Sequence, residues 1–200
     1  MKRWLFWGSL GLLLLVLIIF YYLPPFPQRD SLTKSVPSSY SIDQENSFET
    51  QVHNECSAFS TAYVLRHFGE SQTGLELYEK FGYKLPFSGY VLPKGILSYF
   101  KDSAYEATLY RGTFETLKSR LIEGTPVIVL VGDGLNWQHY MTLVGFDQSL
   151  SEVYFFDSLR QDDENGEAPG NRTLSTDYFL QLWDNGLPIF NHIYFTIEKR

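Results

Sequence analysis

The run Pro126-Val-Ile-Val-Leu-Val131 constrains the fold more than any other stretch of this chain, because six consecutive uncharged residues of strand length predict a buried strand that other elements must cover. Two further β-rich runs, Gln138 to Phe146 and Val153 to Ser158, separated by a short polar turn, follow it, and His192 to Ile197 predicts a last strand. The covering elements lie mostly upstream. Ser57 to Gly69 reads as a helix with Ala58, Phe59, Ala62, Tyr63 and Leu65 on one apolar face, and Asn54 is placed to cap it. Thr73-Gly-Leu-Glu76 has the spacing of a capping box and predicts a short helix through Phe81. Lys94 to Phe100 and Thr113 to Ile122 read as helices, Tyr105 to Tyr110 as a short strand between them, and Ser175 to Trp183 as a late helix. Helices first and strands after them define an α+β domain, with an N-terminal helical part packed on a C-terminal antiparallel sheet. The chain's 200 residues, 44% hydrophobic, suffice for one such domain with a sizeable core.

That domain is expected to occupy residues 48–200. Ahead of it, Met1-Lys2-Arg3 is followed by an uncharged run from Trp4 to Leu23, with Trp4 and Trp7 at one end and Tyr21-Tyr22 at the other. This length and aromatic placement predict one transmembrane helix, an anchor at 1–23 with the basic N-terminus cytoplasmic and everything after Leu23 outside. A cleaved signal peptide fits less well, since Tyr-Tyr-Leu-Pro-Pro replaces a small-residue cleavage site. Residues 24–47, with Pro24, Pro25, Pro27, Pro37 and several serines, read as a stalk. Residues 1–40 carry a net charge of +3, so the total of −7 leaves −10 for the remainder. An acidic domain of that kind argues against nucleic acid as a partner.

Cys56 is the only cysteine, so no disulfide within the chain is available. It falls in the first turn of the predicted helix, where unpaired N–H groups and the helix dipole favour a thiolate. A small buried hydrophobe at a helix start is the plain alternative. A nucleophilic thiol needs a base within reach and a group to hold that base. His67 lies eleven residues further along the same helix, about three turns away, and does not reach. His53 precedes the helix without a rigid element to hold it, and His192 at the start of the last strand stays open. His139 stands near the start of a strand in Asn136-Trp-Gln-His-Tyr-Met-Thr-Leu-Val-Gly-Phe-Asp147, and a rigid element holds a base accurately. Asp157 ends Val153-Tyr-Phe-Phe-Asp157, where a partly buried carboxylate needs a partner such as an imidazole. The two point the same way only if their strands pair with an even residue sum. That requires an odd loop or a bulge somewhere in 146–153.

Glu-Cys-Ser-Ala-Phe-Ser-Thr-Ala-Tyr-Val-Leu, then Gln-His-Tyr-Met-Thr-Leu-Val-Gly-Phe-Asp, then Val-Tyr-Phe-Phe-Asp-Ser resembles the papain-like superfamily, and within it the bacteriocin-processing (double-glycine) cysteine peptidases and their free-standing relatives. The likeness covers roughly residues 48–160, and the His-Tyr to Gly-Phe-Asp segment is its most specific part. It implies Cys56 as nucleophile, His139 as general base, Asp157 as the residue orienting it, and Gln51 as side-chain donor to the oxyanion beside the Cys56 N–H. Gln51 precedes Cys56 by five residues where the family has six, Ser57 replaces a glycine, and Ser158 replaces a proline. The reaction implied is hydrolysis of a peptide through an acyl-thioester, without a cofactor or a metal.

Three other readings share these residues. An acyltransferase or amidase uses the same nucleophile and base. An inactive surface module keeps the fold alone. A Cys56–His139–Asp157 metal site lacks the fourth ligand that structural zinc normally takes. Gln161 to Asn171 reads as an acidic surface loop without the ligand pattern of a calcium-binding hand.

Overall fold

The computed structural model describes residues 2–161 and 165–200, with side chains from Trp7 onward. Along the chain run α1 (Lys2–Tyr22), β1 (Gln28–Arg29), β2 (Ser39–Ser41), α2 (Cys56–His67), α3 (Gly74–Lys80), α4 (Pro93–Phe100), β3 (Tyr105–Arg111), α5 (Phe114–Leu121), β4 (Val127–Asp133), β5 (Trp137–Asp147), β6 (Glu152–Phe156), β7 (Arg172–Ser175), α6 (Thr176–Trp183) and β8 (Ile193–Lys199).

The strands form one eight-stranded sheet in the order β1-β3-β8-β4-β5-β6-β7, with β2 paired to β5. The sheet is mixed rather than wholly antiparallel, because β1 runs parallel to β3. β4 lies between β8 and β5. Its unbroken apolar run follows from burial on both faces. Ile128 and Leu130 pack with Tyr140, Phe195 and the α2 residues Ala58, Ala62 and Leu65. Val127, Val129 and Val131 pack on the other face with Leu117 and Leu121 of α5 and Phe179 and Trp183 of α6. Each such side chain contributes roughly 1.5–3 kcal/mol when fully buried.

Helix α2 is sequestered over its first ten residues, from Cys56 to Leu65. It begins one residue earlier than the apolar pattern predicts. Glu55 holds the cap position, without a side-chain bond to the helix, and the expected cap Asn54 instead donates to the Ser88 carbonyl at 3.0 Å. Gly69, with φ near +90°, turns the chain away beyond the last helical turn. The capping box at Thr73 and Glu76 forms in both directions.

The stretch expected to be a free stalk is bound along the domain. Besides the β1 and β2 pairings, Asp30 is buried against Arg120, which reaches its two oxygens at 2.8 and 3.2 Å, and Tyr194 donates to the same carboxylate. Further on, Lys34 N donates to Ser119 Oγ and the Ile42 N–H to the Val144 carbonyl. Proline and serine content signals the lack of regular structure here, and these long-range partners lie far off in sequence.

Among the described residues no helix is long and apolar enough to cross a membrane, so the fold does not establish the spanning helix expected at 4–23. The segment is helical from Lys2 to Tyr22, and the described side chains from Leu10 to Tyr21 include a continuous exposed series from Leu12 to Tyr21. Its end is docked: Tyr21 packs on Tyr83, and Lys94 Nζ donates to the Tyr21 carbonyl at 2.5 Å.

Candidate active site

Cys56 is the first residue of α2 and only 2% exposed. The start of a helix leaves its first N–H groups without acceptors inside the helix, so the sulfur sits beside free donors. On the neighbouring strand, His139 Nε2 lies 2.7 Å from Asp157 Oδ1, with both residues buried. Nδ1 is left for the sulfur, and Cys56 is within hydrogen-bonding reach of the imidazole.

A bulge brings His139 and Asp157 to one face. Near the β5–β6 turn, Phe146 pairs with Val153 and Asp147 with Glu152, an odd residue sum that would set His139 and Asp157 on opposite faces. Between Leu143 and Gly145 the register shifts, and beyond it Leu143 pairs with Phe155 and Thr142 with Phe156, an even sum. The turn at 148–151 therefore has even length, and the extra residue is Val144, just ahead of the predicted 146–153 window. Gly145 suits this place because a Cβ there would meet the Tyr40 carbonyl oxygen at 3.0 Å and the Tyr154 ring at 3.0 Å.

Asp157 is held from every side. Oδ1 also accepts the Leu159 N–H at 2.9 Å, while Oδ2 accepts from Arg172 Nη1. The Asn171 side chain accepts the Asp157 N–H at 2.7 Å and donates back to its carbonyl at 3.0 Å. Burial opposes ionisation of Asp157, yet the bond and charge of His139, then Leu159 and Arg172, hold its carboxyl well below the usual range. Burial likewise disfavours the imidazolium, but its hydrogen bonds to Asp157 and Cys56 outweigh that and push His139 up to about 9. The imidazole is thus held protonated at neutral pH. Asn171 and Arg172 escaped the sequence reading, in which Asn171 ends an acidic surface loop and Arg172 has no part. Their only local sign is the short β-prone Arg172-Thr-Leu174 that becomes β7.

Gln51 reaches the same cleft. Its backbone N–H bonds the Ser158 carbonyl at 2.8 Å, its Oε1 accepts from Ser158 Oγ at 2.5 Å, and its Nε2 donates to the His53 carbonyl at 2.5 Å. An amide nitrogen has two hydrogens, so one remains for another acceptor. Ser158, standing where the family pattern has proline, clamps Gln51 in this register. His67 ends α2 away from the cleft, and His192 packs on Trp183 near Asp184. His53 lines the cleft, with its backbone bound to Glu55 and to Gln51.

The cleft over Cys56 and His139 has a volume of about 530 Å³ and is walled by Leu85, Tyr90, Trp137 and Phe190. Tyr90 and Tyr140 stack with centroids 5.8 Å apart, and burial together with charge at Cys56 holds both hydroxyls protonated. Among the described residues no group of three His, Cys, Asp or Glu side chains could hold a metal ion. Residues 162–164, in the loop weighed for calcium, lie outside the described residues.

A helix-borne thiol facing a strand-borne His–Asp pair across a cleft is the arrangement of the papain-like cysteine peptidases. The chain belongs to the Peptidase C39-like family, whose model matches residues 33–185. Its fold is similar to a double-glycine motif protease from an AMS/PCAT transporter, solved in complex with the leader peptide (21% identity, 78% of this chain and 93% of that one, TM-score 0.54). It is similar also to the peptidase domain of Streptococcus ComA, a bifunctional ABC transporter of a quorum-sensing pathway (16% identity, 78% and 100%, TM-score 0.56). A third similar structure is xylellain, a cysteine protease from Xylella fastidiosa (12% identity, 90% and 95%, TM-score 0.52). Among curated proteins none matches the chain significantly.

Proposed function

We propose that this chain is a membrane-anchored, extracytoplasmic cysteine peptidase in which Cys56, His139 and Asp157 act as a triad. The observation that carries this reading is the buried His139–Asp157 pair, with Cys56 within reach of the same ring at a helix start. Cys56 Sγ attacks the carbonyl carbon of a peptide bond as the thiolate, its proton already resting on His139. Charge developing on the carbonyl oxygen is met by the Cys56 N–H and the second hydrogen of Gln51 Nε2. His139 then protonates the leaving amine, and the acyl group stays on sulfur as a thioester. A water molecule, deprotonated by His139, attacks that thioester and releases the acid. Asp157 keeps the imidazole in the tautomer that presents Nδ1 to sulfur and balances the imidazolium. Peptide as substrate is supported by the family and by the leader peptide bound to the transporter protease.

Anchoring rests on α1. Its 21 residues extend about 31 Å at 1.5 Å per residue, near the hydrocarbon thickness of a bilayer, and its apolar side chains from Leu12 to Tyr21 are exposed. The uncharged sequence runs from Trp4 to Leu23. Lys2 and Arg3 favour a cytoplasmic N-terminus.

The full chain in membranes, incubated with a peptide library and analysed by mass spectrometry, is expected to release products. Cys56→Ala is expected to release none while retaining the wild-type circular dichroism. Cleavage persisting in Cys56→Ala refutes the mechanism, and full-length protein in the soluble fraction refutes the anchor.

A further inference from the structure

The Asp157 carboxylate divides its two oxygens between different partners. Oδ1 takes His139 Nε2 and the Leu159 N–H, and Oδ2 takes Arg172 Nη1. Arg172 opens β7 opposite Phe155 of β6, so it projects from the same face as Asp157, two residues beyond Phe155. The same Nη1 lies 3.9 Å from the sulfur of Met141, which shares the His139 face of β5. The guanidinium therefore sits beneath the imidazole–carboxylate pair, with its side chain 17% exposed and that of Asp157 fully buried. A buried carboxylate held through one oxygen alone can rotate and exchange its oxygens. A guanidinium anchored on a neighbouring strand removes that freedom, and it meets the charge that burial would otherwise leave half compensated.

We infer that Arg172 is a positioning residue of the peptidase site, locking Asp157 Oδ2 so that Oδ1 stays on His139 Nε2 and the imidazole stays aimed at Cys56. The inference rests on the function proposed above and adds to its four residues a fifth that acts only through Asp157. Nothing in this role requires Arg172 to touch a substrate, so it should alter the reactivity of Cys56 itself.

Cys56 is the only cysteine, so alkylation of the full chain by iodoacetamide reports on it alone. The rate is measured from pH 5 to pH 10 for wild type, Arg172→Met, Arg172→Lys, Asp157→Asn and the Asp157→Asn/Arg172→Met double variant. Arg172→Met is expected to lower the rate at pH 6 about tenfold, the loss of one charge-assisted hydrogen bond, and to leave the rate at pH 10 within about twofold. Arg172→Lys should fall between it and wild type, because the charge is kept and the planar fork is lost. Because Arg172 acts through Asp157, the double variant should be no slower than Asp157→Asn alone. A merely structural arginine would lower the thermal midpoint while leaving the shape of the pH profile unchanged. Should Arg172→Met fail to fold, the double variant leaves no carboxylate unpaired and the comparison with Asp157→Asn decides. Wild-type rates at pH 6 from Arg172→Met, or a double variant about tenfold slower than Asp157→Asn, overturn the inference. A wild-type Cys56 as slow at pH 6 as a free thiol overturns the peptidase reading itself.

Discussion

Replacing Asp157 by Asn tests the electrostatics of the site most directly, since the amide keeps the shape and an acceptor for His139 Nε2 while removing the charge and the acceptor that Arg172 uses. In the intact protein the His139 value stands at about 9 against an ordinary 6.5, despite complete burial that pulls it down. At about 1.4 kcal/mol per pKa unit, that difference is ~3 kcal/mol in favour of the imidazolium. Asp157 and Cys56 supply it by hydrogen bonding and charge, so removing the Asp157 charge should lower the His139 midpoint by at least about one pH unit. The assay is an NMR titration of the imidazole signals of the full chain, with His139 assigned by a His139→Gln variant. A midpoint that stays near 9 in Asp157→Asn refutes the argument, since the charge would then contribute nothing. The stability linkage follows the same groups. The raised His139 value adds stability that is complete below pH 6.5 and is lost as pH rises through about 9. The lowered Asp157 value adds stability present above its ordinary 3.8 and lost as acid titrates the folded carboxylate. Resistance to urea should therefore be greatest between about pH 5 and 7, with the alkaline decline near pH 9 moving down in Asp157→Asn.

Gln51→Ala should lower kcat for peptide cleavage about a hundredfold with little change in KM, as loss of an oxyanion donor does. An unchanged kcat would show that its bonds to Ser158 and His53 are its whole role. Asp30→Asn should destabilise the domain by about 3 kcal/mol, because Arg120 loses its buried partner. Denaturant unfolding measures this, and a change below about 0.5 kcal/mol would mean that the strap at residues 28–42 adds little to stability.

Much of the architecture was legible because it is local. The apolar run of β4, the capping box at Thr73, the glycine after α2 and the β-rich run of β6 each carry their signal within a few residues. So do Cys56 at a helix start and His139 near a strand start. What stayed hidden depends on partners distant in sequence. β1 and β2 are too short to show a pattern of their own and exist because β3 and β5 offer them edges. Prolines and serines made residues 24–47 look unattached, while Arg120 and Tyr194, which hold Asp30, lie far along the chain.

The site divides in the same way. Residue chemistry and spacing along one chain were enough to single out Cys56, His139 and Asp157, and the family resemblance added Gln51. The face on which His139 meets Asp157 was decided by a single bulge at Val144, whose parity no local pattern encodes. The second oxygen of Asp157 found Arg172 only because β7 lies against β6. A strand's side chains alternate by a local rule, but its register and neighbours are set by the packing of the whole sheet. The sequence could therefore name the candidate groups, and only the folded sheet could bring them together.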